Sequence, residues 1–383
     1  MTDLNLEAVA DWMATHVAGV EGPLSVQKIE GGQSNPTYLL EAASGRYVLR
    51  RKPLGKLLKS AHAVDREFRV QQALAGSDVP VARMLALCED DAVIGSAFYV
   101  MDYVDGRNFH DPRLPDVPIS DRAAIFDEMG RVLAAIHSVD LEAVGLSDYG
   151  PHGAYYQRQI DRWTKQYRAS ETETIPEMDQ LIAWLGAACP EDDGRSCLVH
   201  GDYRIDNLLF APGSSDILAV LDWELSTIGH PFADLAAVIM QWQMPPGREG
   251  RGLAGVDRAA EGLPSDQAFI ATYCARMGLS GIPDFGFYLA FSFFRMGAIL
   301  QGVKKRALDG NASDPKRGLK LGAYVPEFAR GGLKAAGNRL QRSAILRSFV
   351  TYLCVVGRMV GASPHTPGIS PKQRRGGLTL ILG

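Results

Sequence analysis

Apolar positions along the chain follow two different periods, and the change between them divides the sequence. Leu4 to Val17 has helical spacing and predicts an opening helix. Val26 to Glu30 reads as a strand. It leads into "GGQSNPTYLLEAASGRYVLRRKP", where Tyr38 to Glu41 and Tyr47 to Arg50 predict two strands joined by a turn at Ser44-Gly45. Ala61 to Ala75 returns to helical spacing, with Ala63, Phe68, Val70 and Leu74 among its apolar positions. "VPVARMLALCEDDAVIGSAFYVMDYVDG" predicts two strands around an acidic turn, the second, Ala97 to Tyr103, apolar and buried. After Asp105-Gly106 the pattern is mainly helical: Asp121 to Ser138, Tyr155 to Ser170, Met178 to Ala188, and the long run "FYLAFSFFRMGAILQGVKKRAL". "MQWQMPPGREGRGLAGVD" is a Gly/Pro-rich loop between helices. The expectation is an α+β chain: residues 1–104 as a small part of antiparallel strands with one main helix, 105–338 as a larger helical part, and 339–383 as an atypical tail.

Composition agrees with that division. A chain of 383 residues is long for one core and suggests two lobes. Hydrophobic content of 46% and charged content of 22% fit a soluble globular protein. A net charge of -4 supplies no basic field, which argues against nucleic acid as a partner. The five cysteines (Cys88, Cys189, Cys197, Cys274, Cys354) contain no CxxC pair, so neither a zinc site nor a disulfide framework is expected. The opening "MTDLNLEAVADWMATHV" lacks the features of a signal peptide, and a cytoplasmic location is expected. Phe349 to Val356 is too short for a bilayer, which needs about 20 residues, so no membrane span is expected. The Pro/Gly-rich, basic end of the tail suggests a mobile segment. Oligomeric state is open at this level.

The chemistry concentrates in "LVHGDYRIDNLLF" (Leu198 to Phe210) and "VLDWELSTIGHPFADLA" (Val220 to Ala236). Asn207 leads into one short apolar strand, and Asp222 ends another. Two adjacent strands ending in Asn and Asp can offer oxygen ligands to one hard cation, and Mg²⁺ takes few protein ligands when phosphates supply the rest. Asp202 then stands as a third acid. One carboxylate to orient a hydroxyl and two oxygen ligands for a metal is the division of labour of phosphoryl transfer. Taken singly, each of these residues is also an ordinary turn residue. No Ser or Cys sits in a nucleophile elbow.

"HGDYRIDN" followed by "LDWE" resembles the aminoglycoside phosphotransferase and choline kinase branch of the protein-kinase-like fold, where His-Gly-Asp opens the catalytic loop. That resemblance implies a two-lobed kinase-like architecture that uses ATP and Mg²⁺. It implies Asp202 as catalytic base and Asn207 and Asp222 as Mg²⁺ ligands, with Glu224 as an outer-shell or second-metal group. Asp234 and His200 become braces of the loop. "GGQSN" lies between strands, as a kinase phosphate loop does, and puts Gly31, Gly32, Ser34 and Asn35 at the nucleotide. "YVLRRKP" puts Arg50 where a strand Lys is usual, with Glu67 as its helix partner. Strand alternation sets Arg50 and Lys52 on one face and Arg51 on the other, and Arg50 is the expected phosphate-side cation, with its neighbours as alternatives. "FYVMDYVDG" reads as the hinge, with Met101, Tyr103 and Val104 beside the adenine.

Several stretches narrow the resemblance to the kinase-like domain found fused to acyl-CoA dehydrogenases. They are "GGQSNPTYLL", "AVDREFRV", "LDWELSTIGHPFADLA" and "FYLAFSFFR". This subgroup implies transfer of the ATP γ-phosphate to a small-molecule hydroxyl, with a hydroxyacyl-CoA-type metabolite as the expected acceptor. The alternatives are an aminoglycoside phosphotransferase and a nucleotide-binding pseudokinase scaffold. Arg295 in "FSFFRMGAI" faces either a core salt bridge or the substrate cleft.

Overall fold

The fold was analysed in a computed structural model, which describes residues 4–29, 35–54, 63–247, 251–312 and 314–337. The predicted tail and the glycines of "GGQSN" lie outside the described residues.

The smaller lobe is a five-stranded antiparallel sheet with helices on it. Helix α1 (Leu6–His16) is capped by the Asn5 side chain, which accepts from the Ala8 N–H at 3.2 Å. Strands β1 (Ser25–Lys28), β2 (Thr37–Ala42) and β3 (Gly45–Arg51) follow, then α2 (Val64–Leu74) and β4 (Met84–Cys88). The acidic stretch expected as a turn winds into one helical turn, α3 (Asp91–Ile94), because Asp90 caps it by accepting from the Ala92 N–H at 2.9 Å. Strand β5 (Phe98–Asp102) then inserts between β3 and β4, giving the order β1-β2-β3-β5-β4. One face of this sheet packs Tyr38, Leu40, Leu49, Phe98 and Val100 against α1. Around α2, Val64 and Phe68 pack with Tyr99.

The larger lobe begins with β6 (Arg107–Asn108) and α4 (Ile119–His137), then α5 (Tyr155–Ser170) and α6 (Pro176–Ala188). Three short strands carry the chemistry: β7 (Cys197–Val199), β8 (Leu208–Phe210) and β9 (Ile217–Val220). Strand β10 (Thr227–Gly229) pairs with β7, and β8 lies between β6 and β9. Helices α7 (Phe232–Trp242), α8 (Asp266–Arg276), α9 (Phe285–Leu308) and α10 (Pro315–Gly322) complete the lobe. Helix α9 is long and apolar enough to cross a membrane by length and composition, yet 67% of its apolar window is buried among the other helices. It is a core helix, with Phe287, Phe291 and Phe294 each at most 1% exposed.

Polar stitches join the lobes behind the site. Arg66 of α2 donates to the carbonyls of Tyr149 (2.8 Å) and Ser226 (3.4 Å), with its guanidinium 4.1 Å from the Tyr149 ring centre. The Tyr149 hydroxyl and Ser226 Oγ stand 2.7 Å apart. The Val220 N–H donates to the Pro80 carbonyl at 2.9 Å. These bonds fix α2, and with it Glu67, against the turn that follows β9.

Candidate active site

The loop that carries His200, Asp202 and Asn207 runs from β7 to β8. His200 is fully buried, and its Nε2 donates to the Leu221 carbonyl at 2.9 Å while its Nδ1 accepts from the Asp202 N–H at 3.2 Å. With both ring nitrogens engaged by backbone, His200 is a brace. Gly201 has φ +85, and a Cβ there would stand 2.6 Å from the Leu225 carbonyl oxygen, which explains why the loop needs glycine between His200 and Asp202. Asp234, 1% exposed on α7, accepts from the His200 N–H (2.7 Å) and the Gly201 N–H (2.8 Å) and stands 3.3 Å from His137 Nε2. Burial would raise its pKa, but the hydrogen bond with His137, the electrostatic influence of the His137 and His200 rings and the Gly201 N–H together hold it below the usual value. It is an ionised anchor for the loop.

Asp202 is held from both sides. Asn207 Nδ2 donates to its backbone carbonyl at 2.8 Å and to its Oδ2 at 3.2 Å, and Arg204 Nε pairs with its Oδ1 at 3.1 Å. Burial raises the Asp202 pKa above the ordinary carboxylate value, against Arg204 and His200, which lower it. The antiparallel β8–β9 register, Leu208 opposite Val220, brings the start of one strand beside the end of the other. Leu221 lies opposite Asn207, its N–H donating to the Asn207 carbonyl at 2.8 Å, and Asp222 follows one position on. Asp222 adopts left-handed backbone (φ 64, ψ 60), a conformation that costs a non-glycine residue energy and that short polar side chains tolerate best.

The small lobe contributes Arg50. Its Nε stands 2.9 Å from Glu67 Oε2, its Nη2 donates to Asp222 Oδ1 at 2.7 Å, and Glu224 lies 3.9 Å away. One guanidinium thus joins the sheet, α2 and the Asp222 turn. Glu67 is 1% exposed and also accepts from Asn35 Nδ2 (2.7 Å) and the Tyr99 hydroxyl (3.1 Å). Burial pushes its pKa up to about 7, against the pull of Arg50. Lys52 points the same way as Arg50, to Asp65 at 3.5 Å, while Arg51 is buried on the other side with Tyr38, whose hydroxyl it reaches at 3.3 Å.

The sequence-predicted residues divide by place. Asp202, Asn207, Asp222, Arg50 and Glu67 converge. Asn35 is buried and lends its amide to Glu67, so it meets the site through the ion pair. Met101 lies opposite Val48 on β5, partly buried beside the Phe68 and Tyr99 cluster. Tyr103 follows β5, with its N–H on the Arg46 carbonyl at 3.2 Å and its ring under the Arg46 guanidinium, and Val104 is half-buried beside it. The positions of Gly31, Gly32 and Ser34 lie outside the described residues. Two contacts had no local signal in sequence. The Tyr99 hydroxyl on Glu67 sits inside an apolar strand run. Asp206, 8% exposed, forms an ion pair with Arg251 of the Gly/Pro-rich loop and lies 3.5 Å from Arg204.

The donor set suits a hard cation. Asn207 commits its amide nitrogen to Asp202, leaving the amide oxygen as the atom able to take a metal, and Asp222 already faces a cation in Arg50. Among the described residues no three acidic, His or Cys side chains surround one point. Two protein oxygens completed by phosphate and water fit Mg²⁺.

Comparison with known proteins agrees with this geometry. Residues 25–269 match the phosphotransferase enzyme family (APH). The mouse acyl-CoA dehydrogenase family member 10 is 49% identical over 293 residues, covering 76% of this chain and 27% of that protein. Mouse family member 11 is 40% identical over 347 residues, covering 88% and 44%. The chain thus spans less than half the length of these relatives. A Ralstonia eutropha protein provisionally described as an aminoglycoside phosphotransferase superposes with a TM-score of 0.80 at 49% identity, covering 88% of this chain and 99% of that one. Aminoglycoside phosphotransferase APH(4)-Ia, solved with AMP-PNP and hygromycin B, shares the fold at a TM-score of 0.57 and 16% identity, covering 85% and 98%. The fold is the two-lobed kinase-like one, and the chain belongs to the phosphotransferase enzyme family.

Proposed function

We propose that the protein transfers the γ-phosphate of ATP to a hydroxyl of a small molecule, and that the acceptor is a hydroxyacyl-CoA-type metabolite. The observation that carries the reading is the convergence of Asp202, Asn207 and Asp222, with the Arg50–Glu67 pair closing on Asp222. Asp202 orients the acceptor hydroxyl and takes its proton, and its raised pKa makes it a better base near neutral pH. Asn207 fixes the Asp202 carboxylate and, with Asp222, would hold Mg²⁺, which supplies charge neutralisation to the phosphate oxygens when bound. Arg50 holds the lobes in register and offers a fixed charge where the nucleotide phosphates lie in kinase-like enzymes. The backbone after β5 borders the adenine. The names of the acyl-CoA dehydrogenase relatives support an acyl-CoA acceptor.

The test is phosphate transfer from ATP with Mg²⁺ over a panel of hydroxyacyl-CoA thioesters. Turnover that disappears in Asp202→Ala supports the reading; activity that persists undiminished in that variant sinks the mechanism. The description of the Ralstonia eutropha relative favours a second acceptor class, the aminoglycosides. Against it stands Arg295, which pairs with no carboxylate among the described residues and would repel a polycation at the loop. Transfer to kanamycin but to no acyl-CoA would replace the first acceptor class with the second. Tight ATP binding without transfer to either would point to a scaffold.

A further inference from the structure

Arg295 lies in the middle of α9, directly after the buried Phe293 and Phe294. A guanidinium in so apolar a helix ordinarily answers a carboxylate, because an uncompensated buried charge is costly. Among the described residues no carboxylate pairs with Arg295. Its Nη2 donates to the Gly201 carbonyl at 3.1 Å, and its guanidinium carbon stands 5.7 Å from the Trp163 ring centre. Arg162 approaches the same ring at 5.5 Å, so two cations share one indole. Tyr155 is close enough for Arg295 to oppose the burial that pushes its phenol pKa up to about 12.

Arg295 is half-buried, and none of its nitrogens is both buried and unpartnered. Among the described residues its N–H groups beyond the Gly201 bond meet no carboxylate and are not sealed in the core. The carbonyl it grips belongs to the residue before Asp202. The guanidinium thus lies against the backbone of the loop that carries Asp202.

We propose that Arg295 is a specificity residue of the acceptor site: it binds an oxygen of the acceptor, a thioester carbonyl or a carboxylate, close to the hydroxyl that is phosphorylated. This rests on the kinase reading above and narrows it to acceptors with a carbonyl-type oxygen near the reacting hydroxyl. Trp163 keeps the planar guanidinium in place. Polycationic acceptors are disfavoured by the same charge.

The experiment is calorimetric titration of the full chain, wild type and Arg295→Gln, with 3-hydroxybutanoyl-CoA and separately with 3-hydroxybutanoate, together with transfer kinetics. Binding of one probe should weaken roughly ten- to a hundredfold in Arg295→Gln, as for a lost charge-assisted hydrogen bond. Arg295→Lys should restore part of it, and ADP affinity should not change. The arm that responds tells a thioester carbonyl from a carboxylate. In kinetics the acceptor KM should rise far more than kcat falls. Equal binding by wild type and Arg295→Gln overturns the inference, as does wild type that binds neither probe. So does a fall in kcat at unchanged acceptor KM, which would make Arg295 only a brace of the Gly201 carbonyl. Arg295-dependent binding without any phosphate transfer would instead refute the kinase reading and leave this binding role standing.

Discussion

Two arginines reach the candidate site from opposite lobes, Arg50 at Asp222 and Arg295 at the Gly201 carbonyl, and they are compensated in opposite ways. Arg50 comes from β3 and stands among three carboxylates, Glu67, Asp222 and Glu224. Arg295 comes from α9 and, among the described residues, meets a backbone carbonyl and an indole face but no carboxylate. The first is a structural hub, because removing it strands Glu67 inside the protein. The second has charge in excess of its surroundings, which a ligand can use. Burial with partners builds the site; partial burial without an acid leaves binding capacity.

The largest effect should come from the residue between these two arginines. Asp202→Asn keeps the shape of the loop but cannot accept a proton, and kcat should fall by roughly 10²–10⁴-fold with little change in denaturation midpoint. Arg50→Met sharpens the contrast in stability. It leaves Glu67 buried and unpaired and should cost about 3–5 kcal/mol in urea unfolding. A loss that small-lobe and large-lobe probes report together would show that the ion pair couples the lobes, and a loss under 1 kcal/mol would remove Arg50 from its role as hub.

Asp234→Ala should cost about 1–3 kcal/mol by orphaning the His200 and Gly201 N–H groups. Activity should fall as the loop loosens, while nucleotide affinity is kept. An active, fully stable variant would show that His200 alone suffices to hold the loop.

The smallest expected effect is a pH slope. Glu67 has its pKa raised from 4.5 to about 7, so the folded chain binds more protons than the unfolded chain across that interval. Stability should therefore fall as pH rises from about 4.5 to about 7 and lose no more from this group above that. Glu67→Gln should flatten that part of the profile in chemical denaturation. An unchanged slope would mean that Arg50 compensates the carboxylate fully.

Much of the site could be read directly from the chain. The spacing placed Asn207 and Asp222 at the ends of neighbouring short strands, and the antiparallel β8–β9 register has that arrangement. The side of Arg50 followed from strand alternation, and Glu67 from its place on the next helix. Asn35 was legible only as a neighbour of the glycines; its burial against Glu67 depends on where α2 sits beside the sheet. The turn expected at Asp90-Asp91 became α3 because a capping side chain decides between turn and helix, and periodicity over so few residues does not register it.

The sequence alone determined most of the elements, the two-part division of their periods and the candidate residues of the loop after β7, since these depend on residues near one another along the chain. Only the tertiary structure decided the long-range pairings. Asp206 meets Arg251 across 45 positions and Arg50 meets Asp222 across 172. Arg295 meets Gly201 across 94 positions and, among the described residues, finds no carboxylate there. Charge compensation depends on what the fold brings within a few ångströms, and a local pattern carries no record of it.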